Sequence, residues 1–240
     1  MYPEIKMVVF DMAGTTVNEN NLVYKTLMNA INAAGFSYSL DQVLAVAAGK
    51  EKREAIRSVL KTYEGTFDET TVGEIYDEFI GKLKVAYETE EILGQPGALE
   101  LFEKLRKKGI VSVLNTGYDR FTAQSILDRL GWKTGVDFDT LITASDVSEN
   151  RPEPDMILLA MKQQGITDSK SVVKVGDSSI DIEEGQNAGC GLSIGITTGA
   201  HTQQQLSEAK PDAIIDDLME VFSIITGDNI VRIVKLPDPI

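Results

Sequence analysis

Five polar residues of this 240-residue chain stand where chemistry on a phosphoryl group would need them. Asp11 closes the apolar run Ile5–Phe10 in VVFDMAGTT, Thr116 follows Val111–Leu114 in LNTGYDR, and Arg151 stands ahead of a helical stretch in ENRPEPDMI. Asp177 and Asp181 follow Ser171–Val175 in VGDSSID. A carboxylate at the C-terminal end of a buried parallel strand lies where open α/β sheets bind ligands. Phosphoryl transfer needs a nucleophile, cationic cover for the equatorial oxygens and a divalent ion. Asp11 would be the nucleophile. Thr116 offers a hydroxyl, and the turn at Gly117 offers backbone N–H groups, to phosphoryl oxygens. Arg151 can fork onto the same oxygens. Asp11 and Asp177 are hard oxygen ligands of the kind Mg²⁺ prefers, the Ala13 carbonyl could be a third, and Asp181 would orient a metal-bound water or steady the ligands. Each residue alone has a plainer use, such as a helix cap, a turn or an exposed Arg-Pro loop. Their joint occurrence, each after its own strand, points to chemistry.

The elements that must position these groups are legible as alternating short apolar runs and amphipathic stretches. Strands are predicted at Lys6–Phe10, Val111–Asn115, Thr140–Thr143, Ser171–Val175, Leu192–Ile196 and Ala213–Ile215. Helices are predicted at Gly97–Lys108, Arg120–Leu130, Pro154–Gln164, Ile180–Ala188, Gln203–Glu208 and Asp217–Ile225. This alternation implies an α/β fold with a doubly wound parallel sheet. Residues 20–91 break the pattern with four helices, at about 20–34, 40–48, 51–63 and 72–89, and no strand. The expected organisation is a discontinuous core, 1–17 and 95–226, an inserted helical domain, 18–94, and a tail, 227–240, that would be an edge strand or an arm. The stripe Ile75, Tyr76, Phe79, Leu83, Ala86 and Tyr87 would be the insert's own core or a homodimer face.

Composition narrows the partners. Hydrophobic residues make up 42% and charged residues 25%, as in ordinary globular chains. A net charge of −14 argues against nucleic acid and anionic membranes, and leaves a small anionic phosphorus-containing substrate at a locally positive site. Cys190 is the only cysteine, so no internal disulfide forms, and its small-residue setting marks it as buried and structural. No apolar run reaches the ~18 residues of a membrane span, and the N-terminus starts a strand without a leader pattern. The expected location is the cytoplasm.

The order and wording of the motifs resemble the haloacid dehalogenase superfamily from about residue 5 to 225, and the insert resembles its type 1 cap. The resemblance implies a Rossmann-like core and an aspartyl-phosphate intermediate. That superfamily usually carries Asp-x-Asp, the second Asp being the general acid; this chain has Ala13 there. AGTT, TGYDR, RP with Arg in place of the commoner Lys, and GDSSIDIEEGQNAG most resemble phosphonoacetaldehyde hydrolases and their phosphonatase-like relatives.

That family uses a cap lysine to form an iminium with a carbonyl substrate, which accepts electrons as the C–P bond breaks. Lys52, in AGKEKREAIRSVL, aligns with it. Ala55, Ile56, Val59, Leu60 and Tyr63 follow at helical spacing, so Lys52 should head a face that packs inward. Burial, the helix N-terminus, Lys50 and Arg53 would favour its neutral amine, whereas Glu51 and Glu54 oppose this. Lys52 could instead bind the substrate's non-reacting part, and Lys50 could substitute in either role. Two residues depart from the family: Met12 stands where an aromatic follows the nucleophile, and Ala55 where a His follows the lysine. The only histidine, His201, is expected to be a cap or a surface residue. The resemblance thus implies a C–P bond hydrolase; a phosphatase for esters or acyl phosphates with good leaving groups is the alternative, and a non-catalytic phospholigand sensor a third.

Overall fold

Residues 4–227 of the computed structural model are described; the tail reading falls on residues outside that range. Met7–Asp11 form β1, buried along its whole length, as a central parallel strand must be. Val17–Asn18 (β2) lead into four helices: Leu22–Ala33 (α1), Leu40–Ala47 (α2), Lys52–Glu64 (α3) and Glu69–Thr89 (α4). After Leu93–Gly94 (β3) strands and helices alternate: Ala98–Lys107 (α5), Val111–Thr116 (β4), Arg120–Leu130 (α6), Thr140–Thr143 (β5) and Asp155–Gln164 (α7). Then come Val172–Gly176 (β6), Ser179–Asn187 (α8), Leu192–Ile196 (β7), Gln203–Glu208 (α9), Ala213–Ile215 (β8) and Glu220–Thr226 (α10).

Six strands form one parallel sheet in the order β5-β4-β1-β6-β7-β8. The chain moves from β1 outward to β4 and β5, then crosses back to β6, β7 and β8. The direction reverses around β1, and such a switch point opens a crevice at the strand ends. Asp11 pairs in register with Asn115, and Phe10 with Val175, so three neighbouring strands end at one level. One sheet face, with Val8, Phe10, Leu114 and Val175, joins the large core that includes the helical insert. The other, with Met7, Val9 and Val113, packs on Met156, Ile157 and Ala160 of α7.

Local chemistry explains where element ends differ from expectation. The fourth insert helix starts at Glu69, not near residue 72, because the Asp68 carboxylate accepts the Thr71 N–H. The last helix starts at Glu220, because Asp217 accepts the Met219 N–H at 2.8 Å in a turn of its own. The two linkers of the insert pair with each other: Val17 lies opposite Gly94 and Asn18 opposite Leu93, antiparallel. Two-residue strands carry no periodicity to read. In α3, Ala55, Ile56, Val59 and Leu60 are buried, and so is Lys52 at its first turn. Among the described residues no helix is long and apolar enough to cross a membrane.

Candidate active site

The residues after β1 fold into a tight turn. The Gly14 N–H donates to the Val17 carbonyl, and the Thr16 and Val17 N–H groups both donate to the Met12 carbonyl. Thr16 also gives its hydroxyl to the Asp11 carbonyl at 2.9 Å. Gly14 is required: its φ is +85°, and a Cβ there would lie 2.3 Å from Asp177 Oδ2. The Asp177 carboxylate accepts the Ala200 N–H at 2.6 Å and faces the Thr15 hydroxyl at 3.4 Å.

Arg151 is the hub. Its Nη1 donates to Asp11 Oδ1 at 2.7 Å and lies 2.9 Å from Asp181 Oδ1, while Nε lies 2.9 Å from Glu184 Oε2. Its Nη2 donates to the backbone carbonyl and the side-chain oxygen of Asn115 at 2.9 and 2.6 Å. Lys174 completes the cluster, 3.0 Å from both Asp181 Oδ1 and Glu184 Oε2 and donating to Asn115 Oδ1 at 2.6 Å. The sequence reading missed Lys174, Glu184 and Asn115. One signal existed: a lysine in VVKVG, a strand expected to be buried, must find carboxylate partners.

The cluster sets four buried carboxylates, Asp11, Asp177, Asp181 and Glu184, against two buried cations, Arg151 and Lys174. Asp11, Asp177 and Asp181 have oxygens within 4.8 Å of one another. Burial, followed by the Asp181 charge, pushes Asp11 up to about 6 against the pull of Arg151 and Lys174. Burial and the Asp11 and Asp181 charges push Asp177 well above the carboxylate range. Two excess negative charges on hard oxygens fit a divalent cation, which would reverse both shifts. Asp181 is held below the usual range by Arg151 and Lys174, against the cost of its burial. Its second oxygen takes the Ser178 hydroxyl at 2.5 Å, so it backs the site from behind.

Asp11, Ala13, Lys52, Thr116, Gly117, Arg151 and Asp177 all line one cavity, with Tyr24, Gly49 and Tyr118. Its room for water-sized occupants is about 10 Å³, enough for roughly one water. The insert closes directly on the core here: a Cβ on Gly117 would lie 2.8 Å from the Gly49 carbonyl oxygen.

Lys52 lines this cavity with Asp11 and Asp177 and makes no salt bridge among the described residues. Its Nζ donates to the Lys50 carbonyl at 2.8 Å, lies 3.5 Å from the Tyr24 hydroxyl, and sits 4.8 and 4.9 Å from the ring centres of Tyr24 and Tyr118. Burial pushes the amine down to about 8, while Glu51, Glu19 and Asp11 pull the other way. The expected help from Arg53 goes elsewhere, since its guanidinium stacks 4.0 Å from the Tyr76 ring centre. Lys50 does not stand in for Lys52. Its amine is bound to Ser58 Oγ at 2.9 Å, and it lines a separate cleft.

His201 is a cap, as expected, but of α8 and not of the helix it precedes, and it is not a surface residue. It is buried, and its Nδ1 accepts the N–H of Ser179, the first residue of α8, at 3.0 Å. Its Nε2 lies 3.4 Å from the Leu44 carbonyl in α2. It is outside the cavity with Asp11. Cys190 is buried and free, its thiol pushed up to about 12 by burial. Glu19, Tyr24 and Tyr118 are further neighbours of Lys52 that the sequence reading did not single out; Tyr118 directly follows Thr116 and Gly117, whereas Glu19 lies in a linker without any pattern.

Residues 8–196 match the family model of haloacid dehalogenase-like hydrolases. A phosphonoacetaldehyde hydrolase of Latilactobacillus sakei is 30% identical over 218 residues, 86% of this chain and 80% of that protein. A bifunctional phosphonoacetaldehyde hydrolase/aminoethylphosphonate transaminase of Clostridioides difficile is 30% identical over 234 residues, and this chain spans only 36% of its length. A probable phosphatase, IndB, of Dickeya dadantii is 28% identical over 226 residues, 90% of this chain and 91% of that protein. The crystal structure of a phosphonoacetaldehyde hydrolase-like protein from Oleispira antarctica shares the fold, with a TM-score of 0.80 at 23% identity over 94% of this chain and 93% of that one.

Proposed function

Because the chain belongs to the haloacid dehalogenase-like hydrolases, we propose that it cleaves the C–P bond of phosphonoacetaldehyde or a related carbonyl phosphonate. The observation that carries this reading is a buried, partly neutral Lys52 in the same cavity as Asp11, with no acid at position 13. Mg²⁺ held by Asp11, Asp177 and the Ala13 carbonyl would supply charge neutralisation when bound. Asp11 takes the phosphoryl group, while Thr116, the Gly117 N–H and Arg151 hold its oxygens. The Lys52 amine condenses with the carbonyl, so the leaving carbon departs as an enamine and needs no proton from position 13. A cavity for one water cannot hold the substrate, so the insert opens to admit it and closes to exclude water during transfer. The substrate is small and anionic, and the protein acts in the cytoplasm.

Borohydride added with phosphonoacetaldehyde should inactivate the enzyme and leave a reduced adduct on Lys52 in the peptide map. Lys52→Arg should lose about 10³-fold or more in kcat. Full turnover by Lys52→Arg rejects this reading in favour of the second, a phosphatase for substrates with good leaving groups in which Lys52 only binds. The likeness to the Dickeya dadantii phosphatase supports that alternative.

A further inference from the structure

The Tyr24 hydroxyl stands beside the Lys52 amine, 3.5 Å from Nζ, in the cavity that Asp11 also lines. Tyr24 lies in the first turn of α1 and is 6% exposed. Its oxygen accepts the Gly49 N–H at 2.7 Å. That bond ties the phenol to the loop that leads into α3, and so to the residue that carries the amine. Lys52 gives one N–H to the Lys50 carbonyl at 2.8 Å. A phenol has one proton to donate and two lone pairs to accept with. Here Gly49 takes one lone pair, and among the described residues the proton has no acceptor but the Lys52 nitrogen.

This placement suits the attack of an amine on a carbonyl. Attack brings the carbonyl carbon to about 3–3.5 Å from the nitrogen before the bond forms. The oxygen on that carbon then comes within reach of a hydroxyl that is itself 3.5 Å from the nitrogen. Addition leaves a positive charge on nitrogen and a negative one on oxygen, and both are costly in a buried cavity. A group that hands one proton to the oxygen and takes another from the nitrogen cancels both. Burial and the Asp177 charge hold the Tyr24 phenol well above its usual range, so it passes a proton on and does not stay ionised.

We propose that Tyr24 is a catalytic residue for imine formation, carrying a proton from the Lys52 nitrogen to the carbonyl oxygen of the substrate. This rests on the Lys52 reading. The neutral amine adds to the carbonyl carbon, the C–N bond forms, and the π pair of the carbonyl moves to its oxygen. Tyr24 gives its hydroxyl proton to that oxygen and takes one from the nitrogen. The product is a neutral carbinolamine, and Tyr24 ends with a proton as it began. Hydroxyl, amine and the Gly49 N–H all belong to the insert, so this step needs neither Asp11 nor a divalent ion.

The test compares wild type with Tyr24→Phe, which keeps the ring and loses only the hydroxyl, in EDTA. Two rates are read. One is trapping of Lys52 with phosphonoacetaldehyde, with borohydride in excess so that imine formation sets the rate. The other is arylation of Lys52 by fluorodinitrobenzene, which needs a free amine but no proton on an oxygen. In Tyr24→Phe trapping should slow by about 10²-fold, while arylation stays within about threefold of wild type. Trapping within threefold of wild type overturns the proposal. Equal falls in both rates overturn it too, because the hydroxyl would then only place the amine through Gly49. Wild type trapped with Mg²⁺ but not in EDTA would put the step on the core, against the proposal. A wild type that turns over without ever being trapped removes the Lys52 reading, and this inference with it.

Discussion

Arg151 and Asp11 are joined by a hydrogen bond of 2.7 Å, with side chains only 1% and 7% exposed. The same Nη1 lies 2.9 Å from Asp181, so one guanidinium holds the nucleophile and the carboxylate behind it. Arg151→Met removes that cation and leaves Lys174 alone against Asp181 and Glu184. The expected cost is about 3–5 kcal/mol in urea unfolding, the range for breaking a buried pair. Arg151→Lys should lose less stability but should still weaken vanadate inhibition, because an ammonium cannot hold Asp11, Asp181 and Glu184 at once and so leaves Asp11 less firmly placed.

Stability of the metal-free protein should fall as pH rises from about 4 to 7. Glu19 and Asp11 have folded pKa values raised to about 7 and 6, so the unfolded chain releases these protons first across that range. Above it the lowered Lys52, at about 8, contributes the opposite slope, against the raised Asp177 and Cys190. Glu19→Gln should therefore stabilise the protein at pH 8, by up to about 3 kcal/mol, and change little at pH 4. Thermal melts in EDTA would show the fall from pH 4 to 7, and a profile flat across that range would refute it.

A divalent ion should stabilise the fold most where Asp11 and Asp177 are ionised. With Mg²⁺ at 100 times its Kd the gain is about 2.7 kcal/mol. The melting shift should be larger at pH 8 than at pH 5, and Asp177→Asn should abolish it. Equal shifts at both pH values, or a shift kept by Asp177→Asn, would place the ion elsewhere.

Gly117→Ala should uncouple closure from folding. The added Cβ would meet the carbonyl oxygens of Gly49 and Lys50 at 2.8 and 3.0 Å, both backbone atoms of the insert. The Lys50 carbonyl also holds the Lys52 amine, so pushing this loop away displaces the amine from Asp11. Activity should fall about 10²-fold with little loss of melting temperature. Unchanged kinetics would mean that the insert need not close this tightly.

Ala13→Asp should add the missing acid. It lines the cavity beside Asp11, so a carboxyl there can protonate a leaving oxygen. Hydrolysis of alkyl phosphates should rise by about 10²-fold, and the dependence on leaving-group pKa across a series of aryl phosphates should flatten. A variant no faster on the poorest leaving groups would show that the acid is not what limits ester cleavage.

Much of the site was legible because strand ends are legible. Asp11, Thr116 and Asp177 each close or follow an apolar run, and a parallel sheet brings such ends to one edge. The inward face of α3 followed from its spacing, and Lys52 at its head is buried as that spacing requires. Burial, however, does not name a partner. Lys174 could be seen to interrupt a buried strand, but its pairing with Asp181 and Glu184 depends on the side-by-side placement of β6 and α8. His201 looked like a cap on the helix it precedes, and caps α8 because the loop after β7 folds back over that helix.

Local patterning, then, determined the alternation of strands and helices, the absence of an acid at position 13 and the set of charged groups at strand ends, because each depends only on near neighbours along the chain. The tertiary structure alone decided that Lys52, not Lys50, reaches the cavity, that Arg151 shares its cation among Asp11, Asp181 and Glu184, and that Glu19 meets Tyr118 across 99 positions of sequence. Those pairings depend on how the insert closes over the sheet, and contacts between segments so far apart leave no periodic trace in either one.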